Sequence, residues 1–174
     1  MTRTTFLLLA CCTILWAGLC QINHAFAPLH LSVFAGGLFI AYSSLRVGFR
    51  EGWWCSVLIG LLIDSSAAVY FGFHALLFAA LHSLIYNYRG RFPHEETAFG
   101  VIVALFANIV LFLIITVSLL HRSPAPLAAV SRLFVDLLAS EILIVLIAPW
   151  FFALQERALE LGGVSLRREQ RGLL

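Results

Sequence analysis

The sequence predicts an all-α membrane protein, a compact bundle of about six transmembrane helices, and three observations predict it. The chain has 174 residues, 61% of them hydrophobic and only 11% charged, whereas a soluble domain carries about 25% charged residues to meet water. Its apolar residues collect into long runs, each near the roughly 20 residues that one crossing of a hydrocarbon core requires. Its eleven positive residues are all arginines and are placed with a strong bias between alternate connections, which is the pattern that orients membrane helices.

The first run extends from Thr5 to Ile22. Arg3, the apolar stretch after it and Ala25-Phe26-Ala27 imitate a signal peptide with an A-x-A cleavage site. Pro28 directly after that site argues against cleavage, and the apolar region before Leu8-Leu9-Ala10-Cys11 is too short for a lipoprotein box, so the first helix is read as retained. The second run, Leu29 to Leu45, follows a polar stretch holding Asn23, His24, Pro28 and His30. From Gly52 to Tyr88 the chain is almost continuously apolar, broken by Asp64, Ser65 and Ser66 and by Gly72, a residue suited to a tight turn. That segment reads as a short hairpin of helices 3 and 4. It fits two short crossings, and it equally fits a re-entrant pair that dips in and returns. The fifth run is Ala98 to Leu120, and the sixth begins after Pro124 and Pro126 and continues to about Leu154. Residues 1–155 thus form one membrane domain, and 156–174 a polar, Arg-rich cytoplasmic tail.

With six crossings, Arg3, Arg46, Arg50, Arg89, Arg91, Arg157, Arg167, Arg168 and Arg171 fall on one side, and Arg122 and Arg132 on the other. Positive loops stay in the cytoplasm, so both termini of this multi-pass protein are expected inside. Trp53, Trp54 and Tyr88 near cytoplasmic helix ends and Tyr70 near the outer turn fit interfacial aromatic belts. Gly36, Gly37, Gly52 and Gly60 are small residues that let helix backbones approach closely. The net charge of +2 gives no reason to expect a nucleic-acid partner. Cys11, Cys12, Cys20 and Cys55 lie in apolar runs without metal-ligand spacing and read as small buried hydrophobes.

Ionisable and strongly polar groups inside the runs are costly and must face protein or a wet cavity. They are Asp64 on the third helix, His74 and His82 on the fourth, Asn108 on the fifth, and Arg132, Asp136 and Glu141 on the sixth. One reading makes them a cluster that binds a solute or relays protons. The other, which the sequence favours, has them pair with one another and with turn backbone so that helices choose their neighbours. Arg132 and Asp136, four apart, share a helix face, while Glu141 points elsewhere. No catalytic, cofactor or metal motif is found. His94-Glu95-Glu96-Thr97-Ala98 begins like a zinc-protease HExxH string but has Ala98 where the second His must stand. Ser83 beside His82 is not a nucleophile–base pair, because adjacent helical residues diverge by about 100°.

Gly60-Leu61-Leu62-Ile63-Asp64, followed by Tyr70-Phe71-Gly72-Phe73-His74-Ala75-Leu76, resembles the rod-shape-determining membrane protein family MreD. The resemblance extends over nearly the whole chain: its length, six helices, the Asp-bearing third helix with a small-residue turn, a basic loop near Arg89 and Arg91, and Pro149-Trp150 before a basic tail. One departure is Ala68, where family members often carry glycine. What the resemblance implies is a non-enzymatic scaffold of the bacterial cell-elongation machinery that makes peptidoglycan. Its implied partners are an MreC-like bitopic protein, a RodA-type glycosyltransferase and a class B penicillin-binding protein, directly or indirectly, and the MreB filament system. Asp64, Gly72 and His74 would then shape the outer turn. The alternative is a solute-binding subunit like the six-helix substrate-capture component of a vitamin transporter, with Asp64, His74, Asn108, Asp136 and Glu141 lining a cavity. Against it, Ala10 and Ala17 lack the four-residue spacing with which such components contact their motor.

Overall fold

In the computed structural model, residues 2–67, 69–91, 97–120 and 126–164 are described, with side chains for all of these but 126–129. Ala68, the His94-Glu95-Glu96 string, Arg122 and the arginines at 167, 168 and 171 lie outside the described residues. Six α-helices follow in order: α1 (Arg3–Phe26), α2 (Gly36–Arg46), α3 (Phe49–Asp64), α4 (Phe73–Tyr88), α5 (Thr97–Leu120) and α6 (Pro126–Leu161). Among the described residues, three segments are long and apolar enough to cross a membrane: Arg3–Leu29, Thr97–Leu120 and Val130–Leu161. The third and fourth helices form the expected hairpin, each of 16 residues, or about 24 Å at 1.5 Å per residue.

The second apolar run departs from a single helix. After α1 a 3₁₀ turn covers Ala27–Leu29, and His30 ends it in the left-handed region at φ 54, which a histidine adopts more readily than a β-branched residue. No helix resumes until Gly36. The 11-residue α2 is buried on every side from Gly36 to Leu45, as expected of a helix with no polar face. It is the hub of the bundle, packed on α3, α4 and α5 and touching α6. The other helices ring it: α3 packs on α1 and α4, and α6 on α5 and α1. The ring is closely packed everywhere except between α4 and α5, which stand apart.

Glycine makes two of these approaches possible. A Cβ on Gly37 of α2 would run into the Ala104 carbonyl oxygen and come within 2.8 Å of the Asn108 nitrogen, both on α5. A Cβ on Gly60 of α3 would sit 2.5 Å from Cα of Ala75 on α4. The core they enclose includes Leu8, Cys12, Phe39, Ile59, Phe78, Leu111 and Ile144. His82 is part of it, wholly buried and 5.8 Å in ring-centroid distance from Phe49. Cys11, Cys12 and Cys55 are free and buried as expected, but Cys20 is exposed, because it lies on the outer face of α1.

The last helix runs beyond residue 155, past the apolar stretch. Gln155 and Leu159 turn inward and are buried, at 1% and 0% exposure, so an amphipathic face continues the packing where overall hydropathy has fallen. It stops at Gly162-Gly163. Gly163 takes φ 71, and the Val164 N–H donates to the Leu159 carbonyl at 3.0 Å, a Schellman ending.

Candidate functional site

Asp64 is the last residue of α3, and its carboxylate is folded back over the start of α4. Oδ2 accepts from the backbone N–H of Gly72 at 3.0 Å and of Ala75 at 3.3 Å. Oδ1 accepts from the N–H of His74 at 3.0 Å and from its ring Nδ1 at 2.7 Å. The first N–H groups of any helix have no partner within the helix, and a carboxylate there also complements the positive end of the helix dipole. One side chain thus caps α4 and ties the two arms of the hairpin together. Gly72 makes the reversal, at φ 94. Asp64 and His74 are both 4% exposed.

The second group of polar residues meets the non-helical segment 31–35 and the start of α2. Unpaired amide groups there would be expensive in an apolar interior; the Leu31 N–H is met by the Phe26 carbonyl at 3.4 Å, and four others find side chains. The Ser32 N–H donates to Asp136 Oδ1 at 2.9 Å. The Val33 N–H donates to Asn23 Oδ1 at 2.7 Å, and Asn23 Nδ2 donates back to the Val33 carbonyl at 2.9 Å. The Phe34 N–H donates to Ser140 Oγ at 3.0 Å, and the Gly37 N–H to Asn108 Oδ1 at 3.3 Å. Asn108 in turn donates through Nδ2 to Glu141 Oε1 at 2.9 Å, joining α5 to α6. Arg132 lies 3.9 Å from Asp136 Oδ2, but is 57% exposed, so the pair adds little to stability.

These residues therefore fall into two groups. Asp64, Gly72 and His74 hold the α3–α4 turn. Asn108, Asp136 and Glu141, with Arg132 at the rim, line the path of the irregular segment. The groups touch at Phe34, whose ring centroid is 6.2 Å from that of His74. Glu141 does point away from the Arg132–Asp136 face, toward Asn108. Chemically the arrangement supplies acceptors and donors to backbone. Among the described residues, no three of His, Cys, Asp and Glu come together as a metal would require.

The model of the family described as rod shape-determining protein MreD matches residues 2–158. The chain belongs to the MreD family. Searches of curated proteins and of solved structures gave no match. Membership in MreD makes this chain a component of rod-shape determination.

Two MreD residues that matter here had no role assigned from the sequence. Asn23 lies in the last turns of α1, just past the first apolar run, and only the geometry shows that it brackets Val33 from both sides. Ser140 was hidden in an apolar run, although its spacing could have exposed it: 132, 136 and 140 recur every four residues, marking one stripe of α6. His82 is a core residue, as its intermediate hydrophobicity suggests.

Proposed function

We propose that this MreD-family chain is a non-enzymatic scaffold of the bacterial cell-elongation machinery, held in the inner membrane and recognising an MreC-like bitopic partner through helix faces. The observation that carries the reading is where the intramembrane polar groups are spent. Asp64 accepts four hydrogen bonds from the α3–α4 turn, and Asn23, Asn108, Asp136 and Ser140 are given to segment 32–37. Side chains committed to backbone build shape, and shape is what a partner reads. The apolar outer surface supports the same reading, with Phe134, Ile142, Leu146 and Trp150 of α6 all more than half exposed.

The proposed topology is six crossings with both termini in the cytoplasm. Segment 31–35 at about 3.3 Å per residue and α2 at about 1.5 Å together reach roughly the 30 Å of a hydrocarbon core. A half-extended crossing of this kind is tolerated where protein surrounds it. The RodA-type glycosyltransferase, the class B penicillin-binding protein and MreB would be reached through the assembly.

Gentle detergent extraction of the tagged full chain should recover an MreC-like protein, and depletion should turn rods into spheres. Normal rods after clean depletion would overturn the proposal. Saturable stabilisation of the purified chain by a vitamin in a thermal-shift screen would instead favour the solute-capture reading.

A further inference from the structure

The gap in the helix ring is a built groove. Between α4 and α5 lies a cavity of about 330 Å³, and a second of about 250 Å³ continues it further from the arginine end. The two share Leu81 and Leu84. The floor is Leu45 of the hub helix, and the walls include Ile102, Val103 and Phe106 of α5. One end is different. There Tyr88 and Arg89 line the groove, with Arg91 beyond them. Arg89 lies 3.8 Å over the Tyr86 ring and donates from Nη1 to the Val47 carbonyl at 2.8 Å, which fixes its guanidinium at the groove mouth. Arg91 is exposed and lies 5.4 Å over the Tyr88 ring.

We propose that this groove holds an anionic phospholipid, one acyl chain lying between α4 and α5 and the phosphate meeting Arg91 and Arg89. Length, width and charge each argue for that occupant. From Leu77 to Tyr88 the groove follows α4 for about 16 Å at 1.5 Å per residue, close to the roughly 15 Å of one leaflet in a hydrocarbon core about 30 Å thick. A partner helix is about 10–12 Å across with its side chains and needs a wider opening than a cavity of 330 Å³. The walls are apolar along the chain's length, and the two positive charges stand only where a headgroup would be. A guanidinium matches phosphate oxygens through its planar fork. The lipid would complete the ring that protein leaves open, sealing α4 to α5 over α2.

The test is native mass spectrometry of the full chain released from detergent, loaded in turn with dioleoyl phosphatidylglycerol, dioleoyl phosphatidylcholine and inorganic phosphate. Phosphatidylglycerol should be retained in preference to phosphatidylcholine, and phosphate alone should not bind. Arg91→Gln should lower phosphatidylglycerol retention about fivefold, the equivalent of about 1 kcal/mol per arginine at a membrane surface. Ala80→Phe, at an exposed wall position of the second cavity, should lower retention of both lipids by filling the chain's place. Among the described residues Arg91 meets the exposed Tyr88 ring, so its variant keeps the test valid should Ala80→Phe disturb folding. Equal retention of the two lipids, binding of phosphate alone, or unchanged retention in Arg91→Gln would overturn the proposal. So would photo-crosslinking from position 84 in membranes that reached a protein instead of lipid.

Discussion

Replacing Asp64 by alanine is the sharpest probe of how the hairpin is held. The substitution deletes the acceptor of three backbone N–H groups and one ring nitrogen. The Gly72 N–H can recover water, since Tyr70 and Phe71 beside it are 74% and 73% exposed, whereas the buried Ala75 N–H cannot and its loss is that of the helix cap. The two donors of His74 cannot either, because that residue is 4% exposed. Two buried hydrogen bonds to a charged acceptor at about 1.5 kcal/mol each, with a helix cap worth about 1 kcal/mol, give a loss of roughly 3–4 kcal/mol. At about 2–4 °C per kcal/mol for a chain of this size, Tm should fall by roughly 6–16 °C. The assay is thermal unfolding in detergent followed by size-exclusion fluorescence of a tagged chain. Asp64→Asn retains one acceptor oxygen and should show about half the loss. Ser65→Ala, at an exposed neighbour, should stay within about 0.5 kcal/mol of the parent. An Asp64→Ala protein melting within 2 °C of the parent would refute the reasoning.

Other positions test the remaining contacts by the same melting measurement. Gly37→Ala should cost about 1–3 kcal/mol by overpacking, since its Cβ has no room beside Ala104 and Asn108, whereas Gly18→Ala meets nothing within 4 Å and should gain about 0.5–1 kcal/mol. Gly72→Ala has equal space around it but sits at φ 94, so backbone strain alone should cost about 1–2 kcal/mol. Asn108→Leu strands the Gly37 N–H and should cost about 1–3 kcal/mol. Hydrogen exchange in that variant should rise first in residues 34–38.

The helices legible in the sequence were those whose character is continuous along the chain. α1, α5 and the hairpin follow from hydropathy and from the Asp64–Gly72 break, because a long apolar helix needs nothing but itself to satisfy its backbone. Segment 31–35 was not legible. Leu31, Val33, Phe34 and Ala35 are as apolar as the helix after them, and what holds them out of a helix lies in Asn23, ten positions from Val33, and more than 100 positions away in Asp136 and Ser140. Hydropathy reports the solvent around a residue and carries no account of where its amide is bonded. For the same reason the polar residues could be found by sequence but not divided into their two groups. The extension of α6 to Leu161 was hidden differently, since Gln155 and Glu156 end the apolar run although one face of the helix stays buried.

This division of labour bears on how loss-of-function variants in the chain should be interpreted. A charged residue in a membrane span is by default a functional candidate, and Asp64 or Asp136 would ordinarily be assigned to transport on that ground. Here Asp64 accepts from the opening amides of α4 and Asp136 from the non-helical Ser32, so removing either first destabilises local structure. A variant of Asp136 that abolishes partner binding therefore says nothing about a binding role unless its melting temperature is unchanged. Exposed positions escape this ambiguity. Trp150, 80% exposed on α6, has little of its side chain in the core, so loss of partner recovery in Trp150→Ala with an unaltered melting curve would locate an interface. If recovery instead survived every substitution along the outer face of α6, the partner would have to dock on another helix.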